Sequence, residues 1–376
     1  PSKINQALFV REFVKLAEEK NWDYNIIEAF DQPWKRMSEG AVGGFWGLFD
    51  KDRLDKNVFA GDVSNFPNYK YLAFASLLLI LIFSNLLKNK NISSAKLLAF
   101  TIVNTLFAIL FTLQLEQYYV TVRTNPEMLW AFLVLFIHIF VYYFMLTNII
   151  RAKKDELPAI SLFYSSAIFT VILSVAIAFD GRYKNFEIYV FAISALSFLW
   201  LYRNKFNELN FGKFEKALSL VLVITSIYTI VNETFLNIFS NVWVMISLVF
   251  AYILYKGSRQ ISLCEIKNLA IYVLIFFAIF TSFRYGFTDN KEIATQCNLY
   301  AGTLTCQIRD LIGAFIYFGY LGMMALGFAI LAFFISKRFF TLLALCITLA
   351  AIVLSNTFLG SIGFIICISL LTRNKE

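Results

Sequence analysis

The chain has 376 residues, of which 59% are hydrophobic and 15% are charged, and its formal net charge is +8. Soluble domains are about 45–50% apolar and about 25% charged, so this composition excludes an ordinary soluble protein. The positive charge does not indicate nucleic-acid binding, because excess Lys and Arg in a membrane protein mark its cytoplasmic loops. We therefore expect a lipid bilayer as the main surroundings of the chain, and no nucleic-acid partner.

The first 70 residues form the predicted soluble part. Residues 3–19 place apolar side chains on one helical face, and Asn21 is suited to end this helix. Bulky and apolar residues over 23–31 predict a strand. A helix followed by a strand is the repeat of a (β/α)8 barrel, in which active sites lie at the C-terminal strand ends. Such barrels take about 250 residues, so we expect the rest of the barrel to precede Pro1.

The end of the predicted strand and the loop after it carry residues that suit a sugar. Aromatic rings present flat apolar faces, carboxylate, amide and ammonium groups bond hydroxyls, and the loop glycines permit tight bends. The candidate substrate-binding residues are Glu28, Phe30, Asp31, Gln32, Trp34, Lys35 and Trp46. The residues alone leave an alternative, in which Glu28 is ion-paired with Lys35 or an upstream neighbour and the aromatic residues only pack the loop.

This segment resembles the C-terminal end of glycoside hydrolase family 17, and more closely its bacterial membrane-anchored branch. The family's strand-end Phe-Asp-Glu-x-x-Lys pattern is matched by residues 30–35, and its Phe/Trp-Gly-Leu-Phe motif by residues 46–49. The helix that contains residues 9–13 matches the preceding helix. Gln32 departs from the family's Glu, and Gly43 stands where plant members also carry a Glu.

The resemblance implies a β-glucan or oligosaccharide substrate and a retaining mechanism without a cofactor, through a glycosyl-enzyme intermediate. The family's two catalytic Glu residues lie on earlier strands. The resemblance therefore implies that this chain holds no catalytic residue and is inactive alone. It implies that Phe30, Asp31 and Lys35 belong to the glucan site, with Trp34 and Trp46 as stacking residues and Glu28 supporting the site from beside it. Hydrolysis and transglucosylation both remain open.

Long uncharged runs predict a polytopic, mainly α-helical membrane region after residue 70. A crossing helix needs roughly 17–25 apolar residues. The uncharged runs are 71–87, 98–115, 128–150, 159–179, 188–202, 217–232, 234–255, 268–283, 311–336 and 339–372. Two crossings within 339–372, turning near 356–360, give eleven transmembrane helices, and one long helix there gives ten.

The distribution of basic residues predicts the orientation. After residue 70, one alternate set of loops carries 17 Lys and Arg residues and the other set carries 6. The positive-inside rule places the richer set in the cytoplasm. We thus expect a bacterial cytoplasmic-membrane protein with an extracytoplasmic barrel segment at 1–62, a linker at 63–70, a membrane domain at 71–372 and a cytoplasmic tail at 373–376.

Few residues in the membrane region indicate chemistry. Cys297 and Cys306 share the predicted outside loop 284–310 and are a candidate disulfide, with two free thiols as the alternative. His138 is the single histidine, and a neutral ring hydrogen-bonded to a neighbouring helix is favoured over a functional ionisable group. One histidine does not assemble a metal cluster, and no nucleotide-sugar motif is present, so we expect neither a metal nor a cofactor.

Polar and small residues within the helices are expected to serve packing. Asn104, Asn232 and Asn356 are predicted to form interhelical hydrogen bonds or turns. Gly313, Gly319, Gly322 and Gly327 are predicted to lie in one helix and to let neighbours approach closely.

Three functions follow from these patterns. The first is a membrane-tethered β-glucan glycosidase or transglucosylase. The second is a transporter or flippase component for a glucan or another polysaccharide, favoured by a helix number far above what an anchor requires. The third is a structural assembly protein. The sequence identifies no protein partner.

Overall fold

The computed structural model describes residues 2–151, 156–179, 184–300 and 302–373. These residues are mainly helical, as the composition predicts, and they contain no extended strand, only two isolated β-bridges. The α-helices are α1 Lys3–Lys20, α2 Arg36–Glu39, α3 Tyr69–Ser84, α4 Ser94–Thr121, α5 Asn125–Ile150, α6 Glu156–Phe179, α7 Ile188–Tyr202, α8 Lys213–Glu233, α9 Ile238–Gly257, α10 Lys267–Phe283, α11 Lys291–Leu299, α12 Leu304–Tyr317, α13 Tyr320–Ile335, α14 Arg338–Val353 and α15 Thr357–Thr372.

Helix α1 forms where the sequence predicts it. The Ser2 side chain accepts a hydrogen bond from the Asn5 amide at its start, and Asn21 ends it in the left-handed conformation. Asparagine tolerates that conformation better than most residues, which makes it a common helix terminator. The prediction for Asn21 is therefore confirmed.

The predicted strand over 23–31 is wrong for this structure. Of these residues, Phe30 alone has a bridge, a parallel one to Phe49, and the segment has no regular ladder. A strand is defined by its neighbours, because its backbone amides and carbonyls need partners on adjacent strands. Here the only paired neighbour is the short stretch around Leu48 and Phe49.

A small apolar core holds α1 against the loops that follow it. Its members are contributed by α1, by the bridged segments and by the 50s loop, namely Val10, Val14, Ile26, Leu48, Phe49 and Val58. The Arg11 guanidinium adds hydrogen bonds to the carbonyl oxygens of Asn57, Val58 and Gly61. Three loop carbonyls and a short hydrophobic cluster thus fix the 57–61 turn on one face of α1.

By length and composition, seven helical segments of the described residues are suited to cross a membrane. The number is eight if the bent pair α12–α13 is counted as one crossing. The finding supports a multi-pass membrane protein. The structure does not show eleven crossings, because α7, α14 and α15 have only 15, 16 and 16 residues. At 1.5 Å per residue, such helices reach about 22–24 Å, short of the roughly 30 Å hydrocarbon core.

The run 339–372 forms two helices, as the preferred interpretation predicts. The break lies at residues 354–356, just before the predicted turn, and Asn356 bridges it to other helices. Its side-chain amide donates to the Ile316 carbonyl, and its Oδ1 accepts from the Gly322 amide. Asn104 also bonds between helices, donating to the Ile80 carbonyl and accepting from Tyr142.

The predicted glycine-lined helix is wrong in two respects. The run 311–336 is broken by a bend of 66° between α12 and α13, with Gly319 in the left-handed conformation at the break. An added Cβ would meet nothing within 4 Å at Gly313, Gly319 or Gly327. Of the four, Gly322 makes the expected close approach, because an added Cβ there would lie 3.2 Å from the side chains of Asn356 and Leu359. Glycine spacing alone did not distinguish a packing face from a bend.

The chain divides into two compact units. The first contains the described residues of 1–158 and 182–193, and the second contains those of 159–181 and 194–376. In the first unit α4 packs against α3 and α5, and the N-terminal segment belongs to the same unit. In the second unit α8 packs against α9, and α13, α14 and α15 pack against one another.

Candidate functional site

The two halves of the family-like motif meet and bond to each other. The Asp31 carboxylate accepts hydrogen bonds from the Gly47 amide and from the Lys56 ammonium, both at 2.9 Å. Lys56 also donates to the carbonyls of Phe45 and Gly47. The side chains of Asp31 and Lys56 are 7% and 8% exposed, so this is a buried ion pair with further bonds to the chain. Asp31 therefore fastens the loop and is not displayed to a ligand.

The close contact between the Asp31 segment and residue 47 requires a glycine at position 47. A Cβ at this position would overlap the Asp31 nitrogen and the Phe30 carbonyl carbon, which are backbone atoms. Main-chain bonds from Asp31 to Phe49, and from Phe49 to Ala29, run directly beside it. The Gly of the second motif half is thus explained by the close approach of the first half.

A second cluster lies at the start of α2, with a largely buried ion pair and an exposed aromatic ring. Glu28 is ion-paired with Lys35, and the two side chains are 14% and 17% exposed. The Lys35 ammonium also lies 5.6 Å from the centre of the Trp34 ring, within cation–π range. Trp34 itself is 70% exposed. The structure thus gives Glu28 the Lys35 partner named in the alternative interpretation and leaves Trp34 free to stack on a ligand.

The other predicted rim residues, Phe30, Gln32 and Trp46, are neither fully buried nor fully exposed. Phe30 is 43% exposed and its ring centre lies 5.9 Å from that of Phe49. Gln32 is half-buried and precedes the short 3-10 turn Pro33–Lys35 without capping it through its side chain. Trp46 is half-buried, and its carbonyl accepts a bond from Gln6. Lys56 and Gln6 were not singled out in the sequence, since nothing in their spacing links them to the motif.

Arg36 attaches this loop to a membrane helix. Its guanidinium donates to the carbonyls of Val120 and Val122 at the C-terminal end of α4, and Arg123 donates back to the Arg36 carbonyl. A cation at a helix C-terminus complements the negative end of the helix dipole. Arg123 is in turn ion-paired with Glu127 at the start of α5. The rim and the ends of α4 and α5 are therefore one connected polar structure.

Sequence reasoning missed a buried carboxylate near this attachment. Glu187, in the loop before α7, is 9% exposed and accepts hydrogen bonds from the Tyr118 hydroxyl and the Trp130 indole. Burial raises the pKa of Glu187 to about 7; the bonds from Tyr118 and Trp130 lower it in part, and the charge of Glu127 raises it further. The sequence signal that could have pointed to Glu187 was an acidic residue directly before the apolar run 188–202.

The other sequence candidates have clear positions. Cys297 in α11 and Cys306 in α12 form a disulfide, nine residues apart. His138 is buried, with its Nδ1 2.7 Å from the Val134 carbonyl, one turn earlier in α5, so this bond lies within its own helix and not with the predicted neighbouring helix. The described residues hold no group of three or more His, Cys, Asp or Glu side chains arranged to bind a metal.

Comparison with protein-family models, with curated proteins and with solved structures finds no match to this chain. The resemblance to glycoside hydrolase family 17 therefore remains a prediction from the motif residues.

Proposed function

We propose that this chain is the glucan-contacting rim and multi-pass anchor of a membrane-bound β-glucan glycosidase or transglucosylase, in a bacterial cytoplasmic membrane with the rim outside. The observation that carries the proposal is the exposed Trp34 ring beside the Glu28–Lys35 pair, on a loop attached to the end of α4. An indole face and a neighbouring charged pair are suited to the apolar face and the hydroxyls of a sugar ring.

The engagement of the two acids supports a binding role for this segment. Glu28 is occupied by Lys35, and Asp31 by Lys56 and the Gly47 amide. A retaining glycosidase needs one carboxylate free to attack and another free to donate a proton. The proposal therefore assigns no bond cleavage to these two acids, and it assigns glucan contact to the exposed Trp34 beside the Glu28–Lys35 pair.

The proposal is tested by binding of laminari-oligosaccharides to the full 376-residue chain in nanodiscs, measured by calorimetry. Trp34→Ala is expected to weaken binding roughly 2- to 10-fold, because a stacked aromatic contact contributes about 0.5–1.5 kcal/mol. Trp22→Ala is the matched control, since Trp22 is 53% exposed in the same segment, just after α1. Equal affinities for the wild type and Trp34→Ala would remove Trp34 from the site.

A transporter or flippase component is the second candidate. The supporting observation is the bend of 66° between α12 and α13, because discontinuous helices are common at the substrate sites of transporters. Passage of a labelled oligosaccharide across proteoliposomes that contain the chain would favour this function. Binding at Trp34 without passage would favour the anchored rim.

A further inference from the structure

The second unit contains a cavity of about 380 Å³ at one end of its helices. It lies among the N-terminal ends of α8, α10 and α14 and the C-terminal end of α15. Its charged lining residues are Lys213, Glu265, Arg338 and Arg373. This volume is within the range of small-molecule sites, about 300–1,000 Å³.

The cavity carries an excess of positive charge. Lys213 is ion-paired with Glu265 at 3.3 Å, which leaves the two arginines as the uncompensated charges of the lining. Within the described residues, Arg338 donates a long hydrogen bond to the Tyr272 hydroxyl, and Arg373 lies over the Phe333 ring. Neither contact neutralises a guanidinium. Arginine forks match the paired oxygens of phosphate.

Backbone amides at helix N-terminal ends add to the positive charge of the cavity. The N-cap residue of α14, Lys337, makes no side-chain capping bond, whereas the 3-10 turn Leu263–Ile266 that leads directly into α10 is capped by Ser262 and Glu265. Helix N-termini carry a partial positive charge and favour anions. Three helices begin at the cavity, and two, α13 and α15, end there.

The cavity wall is also partly apolar. Leu269, Leu370 and Leu371 line it beside the charged residues. A small hydrophilic anion would gain nothing from these side chains, while an amphiphile satisfies both parts of the wall. Basic pockets between membrane helices bind the headgroups of acidic lipids in this way.

We propose that this cavity binds the phosphate headgroup of an acidic phospholipid, with Arg338 and Arg373 contacting the phosphate and the leucines contacting the first acyl carbons. The site is separate from the glucan rim, and the proposal does not depend on glucan binding. In the orientation predicted from the loops, the lipid comes from the cytoplasmic leaflet.

The test is native mass spectrometry of the purified full chain with added phosphatidylglycerol or phosphatidylethanolamine, which differ in net charge. The wild type is expected to retain phosphatidylglycerol in preference. The double variant Arg338→Gln/Arg373→Gln is expected to bind it roughly 30-fold more weakly, from about a fivefold effect per basic residue. Arg259→Gln is the control, because Arg259 is exposed and does not line the cavity.

Two further arms make the outcome decisive. Arg338→Lys/Arg373→Lys keeps the charge and is expected to retain phosphatidylglycerol within about threefold, which separates lost charge from lost folding. Glycerol 3-phosphate is expected to bind more weakly than the lipid, because it lacks acyl chains. The proposal would be overturned if the Gln pair bound phosphatidylglycerol as tightly as the wild type, or if Arg259→Gln or the Lys pair lost as much binding as the Gln pair. It would also be overturned if the wild type bound phosphatidylethanolamine or glycerol 3-phosphate as tightly as phosphatidylglycerol.

Discussion

At the scale of single residues, the same side-chain types serve different purposes according to what surrounds them. Asp31 and Glu28 are both acids at the end of one short segment, yet Asp31 is tied to the Gly47 amide and Lys56 while Glu28 meets Lys35 beside the exposed Trp34. The chemistry visible in the motif is therefore divided between an internal clasp and an external surface.

Glu187 predicts a specific pH dependence. Its pKa is raised from the ordinary 4.5 to about 7, chiefly by burial. Between these values the unfolded chain loses the proton while the folded chain keeps it, so folding stability falls as pH rises through this window, by about 3 kcal/mol in all. Below pH 4.5 both states are protonated, and above pH 7 the loss is constant.

The variant Glu187→Gln does not titrate and is expected to lose this part of the pH dependence. Thermal unfolding of the detergent-solubilised chain between pH 4.5 and 8 measures it. Glu208→Gln is the matched control, because the Glu208 side chain is 61% exposed in a surface ion pair. The same pH slope in Glu187→Gln as in the wild type would contradict the assignment.

At the scale of elements, the rim is attached to the end of α4 chiefly through Arg36, with a further bond from Arg123 to the Arg36 carbonyl. Arg36 supplies both bonds to the Val120 and Val122 carbonyls, so Arg36→Gln removes the cation from the helix end. The expected cost is about 1–2 kcal/mol. Amide hydrogen exchange over residues 33–45 is expected to become roughly tenfold faster.

Lys51→Gln provides the control for Arg36, since Lys51 forms an exposed ion pair with Asp52 in the same segment. Exposed pairs contribute little to stability, so its exchange rates should match the wild type. If Arg36→Gln exchanged at the wild-type rate as well, the loop would be held by its other contacts and the assignment to Arg36 would be wrong.

At the scale of the whole molecule, the basic loops and the disulfide make a joint prediction. Cys264 is an exposed free thiol in a loop predicted to be cytoplasmic, whereas the Cys297–Cys306 disulfide lies in a region predicted to be outside. An impermeant maleimide should modify Cys264 only after the cells are permeabilised. It should modify the reduced disulfide cysteines without permeabilisation.

The other two free cysteines, Cys346 and Cys367, lie within α14 and α15. Maleimide labelling that is lost in the Cys264→Ser variant therefore belongs to Cys264. Labelling of Cys264 in intact cells would reverse the orientation. In the predicted eleven-helix topology, in which α7 crosses the membrane, the rim and Trp34 would then face the cell interior, and a role with extracytoplasmic glucan would be excluded.

The sequence by itself determined the membrane class, the extent of most apolar helices and the end of α1 at Asn21. These features depend on local composition and spacing, which are read directly along the chain. Only the tertiary structure decided that 23–31 forms no strand, that the 311–336 run bends at Gly319, and that Asp31 is bound by Lys56. Each of these depends on partners far away in the chain, and no local pattern specifies which distant group will satisfy a backbone amide or a buried charge.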